Sequence, residues 1–261
     1  MTSGTERVLS VEVSRGVARL TLDSPANRNA LSRAMRAQLR QALTDAFADD
    51  AVRVVVLDHT GRVFCSGMDL SEASGGAAAD QGVNEFPELL ELVWSAPKPV
   101  IAAVRGPARA GGVGLLAACD VVVAGASATF AFSEVRIGVV PAVISAVVRP
   151  RMLPHAVHRL MLTGEVFDAD TAAAGGLVDL AVPDDEVDAT VAAQVTALGA
   201  GAPAALAETK RLLRSTPTGT LSEQFANLSS LSARFFASAE GQEGIAAFRE
   251  NRPARWVPAA E

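Results

Sequence analysis

A run of small residues between two apolar segments constrains this chain more than any other feature. The run covers residues 108–120, contains three glycines (111, 112 and 114), and is flanked by apolar segments 99–104 and 121–124. This pattern predicts two buried strands joined by a glycine loop and a short helix. A helix beginning near Gly112 directs the Gly111 amide outward, where the helix dipole favours negative charge. The run also fits a turn whose only role is to let a helix pack on a sheet. The rest of the chain must decide between a ligand-binding loop and a purely structural turn.

Composition limits the partners and the compartment. The chain has 261 residues, which allows one domain or two, and its formal net charge of -6 argues against nucleic acid and anionic membranes as partners. Two separated cysteines without a CxxC pattern predict reduced thiols and a cytoplasmic location. The N-terminus lacks an apolar signal core, and Asp120 together with the glycines makes residues 110–132 a poor membrane span. The three histidines are not clustered, so no metal is expected.

The hydrophobic pattern predicts an α/β core followed by a helical region. A hairpin is expected between residues 11 and 22, and a helix from Ser32, because Met35, Leu39 and Leu43 recur at helical spacing. Further strands are expected at 52–57, 121–124, 129–132 and 178–182, and further helices at 85–94, 154–162 and 168–174. Residues 71–84 are rich in glycine and alanine and predict a mobile surface loop. From residue 184 onward the chain is helix-compatible, with an apolar stripe over 221–235.

Several motifs occur together in the order found in one family. They are residues 28–31, 64–70, 97–104, 110–112, 118–120, 132–141, 162–165, 172–178 and 243–248. Together they resemble the enoyl-CoA hydratase/isomerase, or crotonase, family over nearly the whole chain. Segments 111–115 and 141–145 are similar to bacterial members of the 3-methylglutaconyl-CoA hydratase type, which act on branched acyl chains.

The resemblance implies an architecture and a substrate class. The fold it implies is α/β, with a crotonase-like ββα spiral core over residues 1–199 and a helical C-terminal trimerisation region over 200–261. A homotrimer or homohexamer is therefore expected. The implied substrate is an acyl-CoA thioester, and no separate cofactor is expected because coenzyme A is part of the substrate.

The family's chemistry assigns roles to three positions. Matching positions give the backbone amides of Met68 and Gly111 the task of binding the thioester oxygen as negative charge develops on it. Glu134 matches one of the two glutamates that flank the substrate carbons in the family's hydratases. Its apolar sequence neighbours predict a raised pKa, which suits a proton shuttle. The other glutamate position holds Gly114, and this departure leaves hydration by two glutamates in doubt.

Three functions remain open at this point. Enoyl-CoA hydratase is favoured, because the similar 3-methylglutaconyl-CoA hydratases also lack the first glutamate. The second is a double-bond isomerase, in which Glu134 alone removes a proton and returns it two carbons away. The third is an acyl-CoA-binding homologue without turnover, which the missing glutamate suggests but the retained Glu134 disfavours.

Binding residues are carried over by position. Residues that match the family's coenzyme A channel, together with the glycine after Gly111, are Arg28, Ala30, Cys65, Gly67, Asp69, Leu70 and Gly112. Phe248 matches a residue that reaches the coenzyme A of a neighbouring subunit. The lysine expected three residues later is Asn251, and Arg252 is an alternative cation. Cys65 has no histidine nearby in sequence, so it is interpreted as a small buried residue rather than a nucleophile.

Overall fold

The chain builds two sheets, in a computed structural model that describes residues 6–73 and 85–258. Within these ranges the strands are β1 (Leu9–Ser14), β2 (Val17–Leu22), β3 (Val54–His59), β4 (Val100–Val104), β5 (Ala108–Arg109), β6 (Val121–Gly125), β7 (Thr129–Ala131), β8 (Phe167–Asp168) and β9 (Leu180–Val182). The helices are α1 (Arg33–Ala48), α2 (Glu85–Trp94), α3 (Gly111–Ala118), α4 (Ala142–Arg151), α5 (Pro154–Thr163), α6 (Ala169–Ala174), α7 (Val187–Gly199), α8 (Pro203–Arg214), α9 (Leu221–Ala237) and α10 (Ala239–Arg249).

The larger sheet has the order β1-β2-β3-β4-β6-β9, and only the β1–β2 pair is antiparallel. Both of its faces are covered. Val55 and Leu57 pack into the main core with Leu39 of α1, whereas Val54 and Val56 face a second cluster that contains Val187 and Val191 of α7. Coverage on both faces explains why β3 and β4 are continuous apolar runs rather than alternating ones.

The smaller sheet has the order β5-β7-β8 and positions the candidate site. β5 runs parallel to β7, and β8 runs antiparallel to β7. Phe130 and Phe132, on either side of Ala131 in the sequence, are fully buried and pack against Phe167 of β8. This aromatic layer fixes the chain immediately before Glu134.

Most of the elements expected from periodicity are confirmed. The hairpin turns at Arg15 and Gly16, both at positive φ. α1 begins after Ser32, whose Oγ accepts a hydrogen bond from the Met35 N–H at 3.2 Å. The expected strand at 52–57 lies two residues later, because Val52 is taken up in a turn that bonds to the Asp49 carbonyl. Residues 71–73 belong to a short 3₁₀ helix (Leu70–Ala73), and the rest of the loop expected at 71–84 lies outside the described residues.

The C-terminal helices are joined to the core by a partly buried charge cluster. The Asp120 carboxylate accepts hydrogen bonds from Lys210 Nζ at 2.7 Å and from Arg214 Nη2 at 2.8 Å, both on α8. It also accepts the Val100 N–H at 2.8 Å, which ties the start of β4 to the same group. This contact shows why an aspartate follows α3. The boundary at residue 199 coincides with the end of α7, and the division into two domains stays a prediction.

The apolar stripe on α9 is largely exposed within this chain. Leu221 and Phe225 are exposed, and Phe236 at the end of the same helix is exposed as well. Within the described ranges, no single helix is long and apolar enough to cross a membrane. The pair 184–199 and 203–214 passes only when the two are taken together, and it is bent by 106°.

Candidate active site

Parallel segments end at one edge of the smaller sheet and bring the predicted catalytic positions together. Leu31 forms a parallel bridge with Met68, and Cys65 forms one with Ala108 of β5. β5 in turn runs parallel to β7, which leads into Glu134. Because the carboxyl ends of parallel strands meet at the same edge, this edge is where ligands bind in many α/β folds. Met68, Gly111 and Glu134 all follow or end these segments.

The Met68 amide is oriented by its own peptide group. The Leu31 N–H donates to the Gly67 carbonyl oxygen at 2.8 Å. In a trans peptide the next N–H points the opposite way, so the Met68 N–H is directed away from Leu31. It has no protein acceptor among the described residues. The amide is therefore available to bind an oxyanion, whichever side chain residue 68 carries.

The Gly111 amide is oriented by the same principle. The Ala110 carbonyl accepts the N–H groups of Val113 at 2.9 Å and Gly114 at 3.1 Å, so it points into the first turn of α3. The Gly111 N–H, in the same peptide group, consequently points out of the helix N-terminus. It also has no acceptor in the described part of the chain. Ala110 holds this orientation with φ 48° and ψ -116°, a backbone conformation that costs a non-glycine residue about 1–3 kcal/mol.

The two amide-bearing loops touch each other, and glycines permit the contact. A Cβ at Gly67, where φ is +92°, would lie 3.0 Å from the Arg109 carbonyl oxygen and 3.5 Å from the Gly111 nitrogen. A Cβ at Gly112 would lie 2.7 Å from the Cys65 carbonyl oxygen. Gly67 and Gly112 thus serve the approach of one loop to the other.

Cys65 packs behind this contact rather than into an open channel. Its side chain is fully buried, and burial raises the pKa of the thiol to about 12. The thiol is therefore protonated at neutral pH and is a poor nucleophile. Its carbonyl accepts the Arg109 N–H at 2.9 Å and so helps to hold β5.

Glu134 carries an unsatisfied buried oxygen. The residue lies on a short 3₁₀ helix (Ser133–Ile137) directly after the aromatic layer, and its side chain is partly buried. Oε2 is buried and has no hydrogen-bond partner among the described residues. Burial raises the pKa of the carboxyl above its usual value. Within the described ranges, Arg136 on the same short helix forms no ion pair with this carboxylate.

An isoleucine closes the place where the family's first glutamate would project. A Cβ at Gly114 would lie 2.9 Å from Ile144 Cβ and closer still to Ile144 Cγ2. Ile144 belongs to α4 and is buried in the main core. The missing side chain at residue 114 is thus matched by an apolar group from the neighbouring helix, and the two helices pack closely there.

The remaining predicted binding residues have different surroundings. Arg28 is exposed at a left-handed φ of 60°, and Ala30, two residues later, is buried. The Asp69 carboxylate accepts the Ser71 N–H at 3.0 Å and the Ser71 hydroxyl at 2.6 Å, which caps the short helix that begins with the exposed Leu70. Asp69 thus has a local structural role.

Phe248 does not meet the other site residues within this chain. It lies on α10 and is 87% exposed. The alternative cation Arg252 is held by Glu243, with Nη1 2.7 Å from Oε1, and by Glu250. This pairing lowers the pKa of Glu243 to about 2. Two carboxylates of the same chain therefore already bind the Arg252 guanidinium.

Asn29 is a site-supporting residue that the sequence analysis missed. It is fully buried at φ 52°, and its Nδ2 donates to the carbonyl oxygens of Thr60 at 3.0 Å and Val63 at 2.8 Å. Its Oδ1 accepts the Ser24 N–H at 2.8 Å. Asparagine tolerates left-handed backbone and bonds to nearby peptides, which explains its place beside Arg28.

Comparisons with known proteins agree with this arrangement. The fold is the crotonase fold: an enoyl-CoA hydratase structure from Mycobacterium smegmatis matches with a TM-score of 0.89 at 32% identity, covering 96% of this chain and 99% of that one. A Thermus thermophilus protein that carries an enoyl-CoA hydratase name is 37% identical over 94% of this chain and its own full length. The 2,3-dehydroadipyl-CoA hydratase of Escherichia coli is 32% identical over 94% of this chain and 96% of its own length.

The sequence profile of one family covers the site and nearly all of the fold. Residues 12–258 match the enoyl-CoA hydratase/isomerase family. The chain belongs to this family, and the recognition and fold class expected from its motifs are confirmed.

Proposed function

We propose that this protein is an enoyl-CoA hydratase. The observation that carries the proposal is a pair of outward-pointing amides, at Met68 and Gly111, on parallel segments that end at the same sheet edge as Glu134. The Oε2 atom of Glu134 is buried and has no hydrogen-bond partner in the part of the chain that the structure describes. The names of relatives that match almost the whole chain support hydration.

One carboxylate is sufficient for the reaction. The oxygen of a water molecule attacks C3 of a 2-enoyl-CoA while its proton passes to the Glu134 carboxylate. The C2–C3 π electrons move toward C1 and place negative charge on the thioester oxygen, where the Met68 and Gly111 amides bind it. Glu134 then returns the proton to C2. Loss of one such amide donor typically costs about 3–4 kcal/mol of transition-state stabilisation.

A specific observation favours double-bond isomerisation as the second candidate. Ile144 fills the space beside Gly114, so an apolar group lies where a second carboxylate would hold water. In isomerisation Glu134 would remove a proton from C2 of a 3-enoyl-CoA and return it to C4. The same two amides would bind the intermediate enolate.

A substrate panel decides among these functions. The panel contains a 2-enoyl-CoA, a 3-enoyl-CoA and 3-methylglutaconyl-CoA, each assayed with wild type and with Glu134→Gln. We expect hydration by wild type and a loss of about 100-fold or more in turnover for Glu134→Gln. The matched control is Glu91→Gln, an exposed glutamate on α2. Conversion of only the 3-enoyl-CoA would establish the isomerase, and binding without any turnover would establish the non-catalytic homologue.

A carboxylate restored at residue 114 tests the division of labour. Gly114→Glu alone would force Ile144 to move, so the informative variant combines Gly114→Glu with Ile144→Gly. If the protein is a hydratase that holds water through another group, this change does not raise its rate of hydration. An isomerase gains hydration of the 2-enoyl-CoA, so the double variant separates the two candidates.

We further propose a homotrimer or homohexamer in the cytoplasm, which binds acyl-CoA and needs no cofactor. The exposed apolar residues of α9 and the exposed Phe248 support a subunit contact in the C-terminal region. Cys65 and Cys119 are unpaired and buried, which fits a reducing compartment. Light scattering at micromolar concentration tests the assembly, and a monomer would contradict it.

A further inference from the structure

Arg36 is a buried cation that bonds to three parts of the chain around the candidate site. Its side chain is 3% exposed, although it lies in the first turn of a helix. Its Nη1 donates to the Leu31 carbonyl at 2.6 Å, and its Nε donates to Glu85 Oε2 at 3.1 Å. The Glu72 carboxylate lies 3.5 Å from Nη1. A buried guanidinium is retained only with partners of this kind, because its desolvation is costly.

The first arm of Arg36 leads to the Met68 amide. Leu31 accepts from Arg36 with its carbonyl and donates with its N–H to Gly67 at 2.8 Å. That second bond orients the peptide group whose N–H belongs to Met68. A shift of Leu31 therefore rotates the Met68 amide.

The other arms hold the surroundings of Gly111 and the start of α1. Glu85 is the first residue of α2, and the ring of the next residue, Phe86, lies 3.3 Å from the place where a Cβ on Gly111 would be. Glu72 accepts the Arg33 N–H at 2.8 Å, so it caps α1 while it pairs with Arg36. One side chain thus links the backbone next to both amides.

We infer that Arg36 is a positioning residue for the oxyanion-binding amides, acting through Leu31 on Met68 and through α2 on Gly111. The inference rests on the proposed function. The planar guanidinium of Arg36 reaches the Leu31 carbonyl and both carboxylates at once, which the single ammonium of a lysine does not do.

The test compares two arginines of the same helix. Arg36→Met removes the links and keeps an apolar stem. The control Arg40→Met removes an exposed arginine one turn later, which pairs with the exposed Glu88 of α2 at 3.4 Å. We expect Arg36→Met to lower kcat about tenfold and to leave KM nearly unchanged. This loss is smaller than the ~100-fold loss that a misplacement of about 1 Å produces. Arg40→Met is expected to match wild type.

A spectroscopic readout separates positioning from general destabilisation. Butyryl-CoA labelled with carbon-13 at the thioester carbonyl is bound to each protein, and its carbonyl stretch is measured by difference infrared spectroscopy. Hydrogen bonds from the two amides lower this frequency in wild type and in Arg40→Met. The shift is expected to be smaller in Arg36→Met at saturating ligand.

The outcomes distinguish this inference from the proposed function. A wild-type shift that Arg36→Met retains in full, together with an unchanged kcat, overturns the inference alone. The absence of any shift in wild type overturns the proposed function and the inference with it. If Arg36→Met does not fold, the double variant Glu72→Gln with Glu85→Gln replaces it, because both carboxylates are partly exposed. Because the Arg36–Leu31 bond remains in this variant, a smaller loss of kcat and of carbonyl shift is expected there, and full retention of both overturns the inference.

Discussion

Substitution of Gly114 by alanine should destabilise the protein, although alanine is the better helix former. The added Cβ would lie 2.9 Å from Ile144 Cβ and closer to Ile144 Cγ2, whereas carbon atoms in contact lie about 3.5–4.0 Å apart. Relief of this overlap requires a movement of α4 or a strained rotamer, and overpacking of this kind costs about 1–3 kcal/mol. Alanine in place of glycine inside a helix returns about 1 kcal/mol. We therefore expect a net loss of about 1 kcal/mol.

A double-mutant cycle with Ile144→Ala isolates this contact. Ile144→Ala costs about 2–5 kcal/mol. It also removes Cγ2, the nearer of the two atoms that a Cβ at residue 114 would meet, and leaves only the contact with the Cβ of residue 144. Gly114→Ala should consequently cost about 1 kcal/mol less in this background than in wild type. Urea unfolding at one fixed protein concentration measures each step.

A buried glycine that has room for a Cβ provides the control. Gly199 ends α7, and a Cβ there would lie 3.8 Å from the Pro258 ring, an ordinary contact. Gly199→Ala should be neutral or stabilise by up to about 1 kcal/mol. Additive effects of Gly114→Ala and Ile144→Ala, or a Gly114→Ala protein as stable as Gly199→Ala, would refute the packing argument.

Three further predictions concern the site. Burial raises the pKa of Glu134 above its ordinary value of 4.5, so the ionised form of this side chain opposes folding. Glu134→Gln should therefore raise Tm at pH 8. The difference in Tm between the variant and wild type should vanish below about pH 4, where the carboxyl is protonated in both the folded and the unfolded state. Equal Tm values for wild type and Glu134→Gln at both pH values would contradict this. Gly111→Val should abolish turnover but not coenzyme A binding, because the valine Cβ would lie 3.2 Å from Leu31 Cδ1. A normal kcat in this variant would disprove the assignment of the Gly111 amide to the oxyanion site. The thiols of Cys65 and Cys119, both with a pKa raised to about 12, should resist iodoacetamide at pH 8 until urea unfolds the protein, and rapid labelling of the native form would refute their burial.

The sequence predicted the parts of the fold that depend on local spacing. Ser32 and the apolar residues after it gave the start and the buried face of α1, because capping and helical periodicity both act within a few residues. The run from residue 108 predicted strand, loop and short helix, and the outward Gly111 amide follows from where α3 begins. The family resemblance then supplied Glu134.

The sequence could not predict contacts between distant residues. Ile144 behind Gly114, Lys210 beside Asp120 and the carboxylates around Arg36 are joined only by the folded chain, across 30 to 90 residues. Asp69 shows the converse: a position matched to a binding residue has a carboxylate that bonds to Ser71 two residues away. A buried charged residue in a helix has no periodic signal that separates it from a solvated one.

In the proposed site, peptide groups rather than side chains bind the thioester oxygen, and this decides how the site can be lost or changed. Its two donors are aimed by the N–H groups of Leu31, Val113 and Gly114, which every amino acid except proline supplies. An alanine scan would pass over these positions, whereas a proline scan or replacement of single amides by esters would detect them. If the proposed role of these amides holds, side chains that face the substrate can be exchanged over evolution without loss of enolate binding. New reactions can arise at positions such as 114 while the anion-binding backbone stays in place.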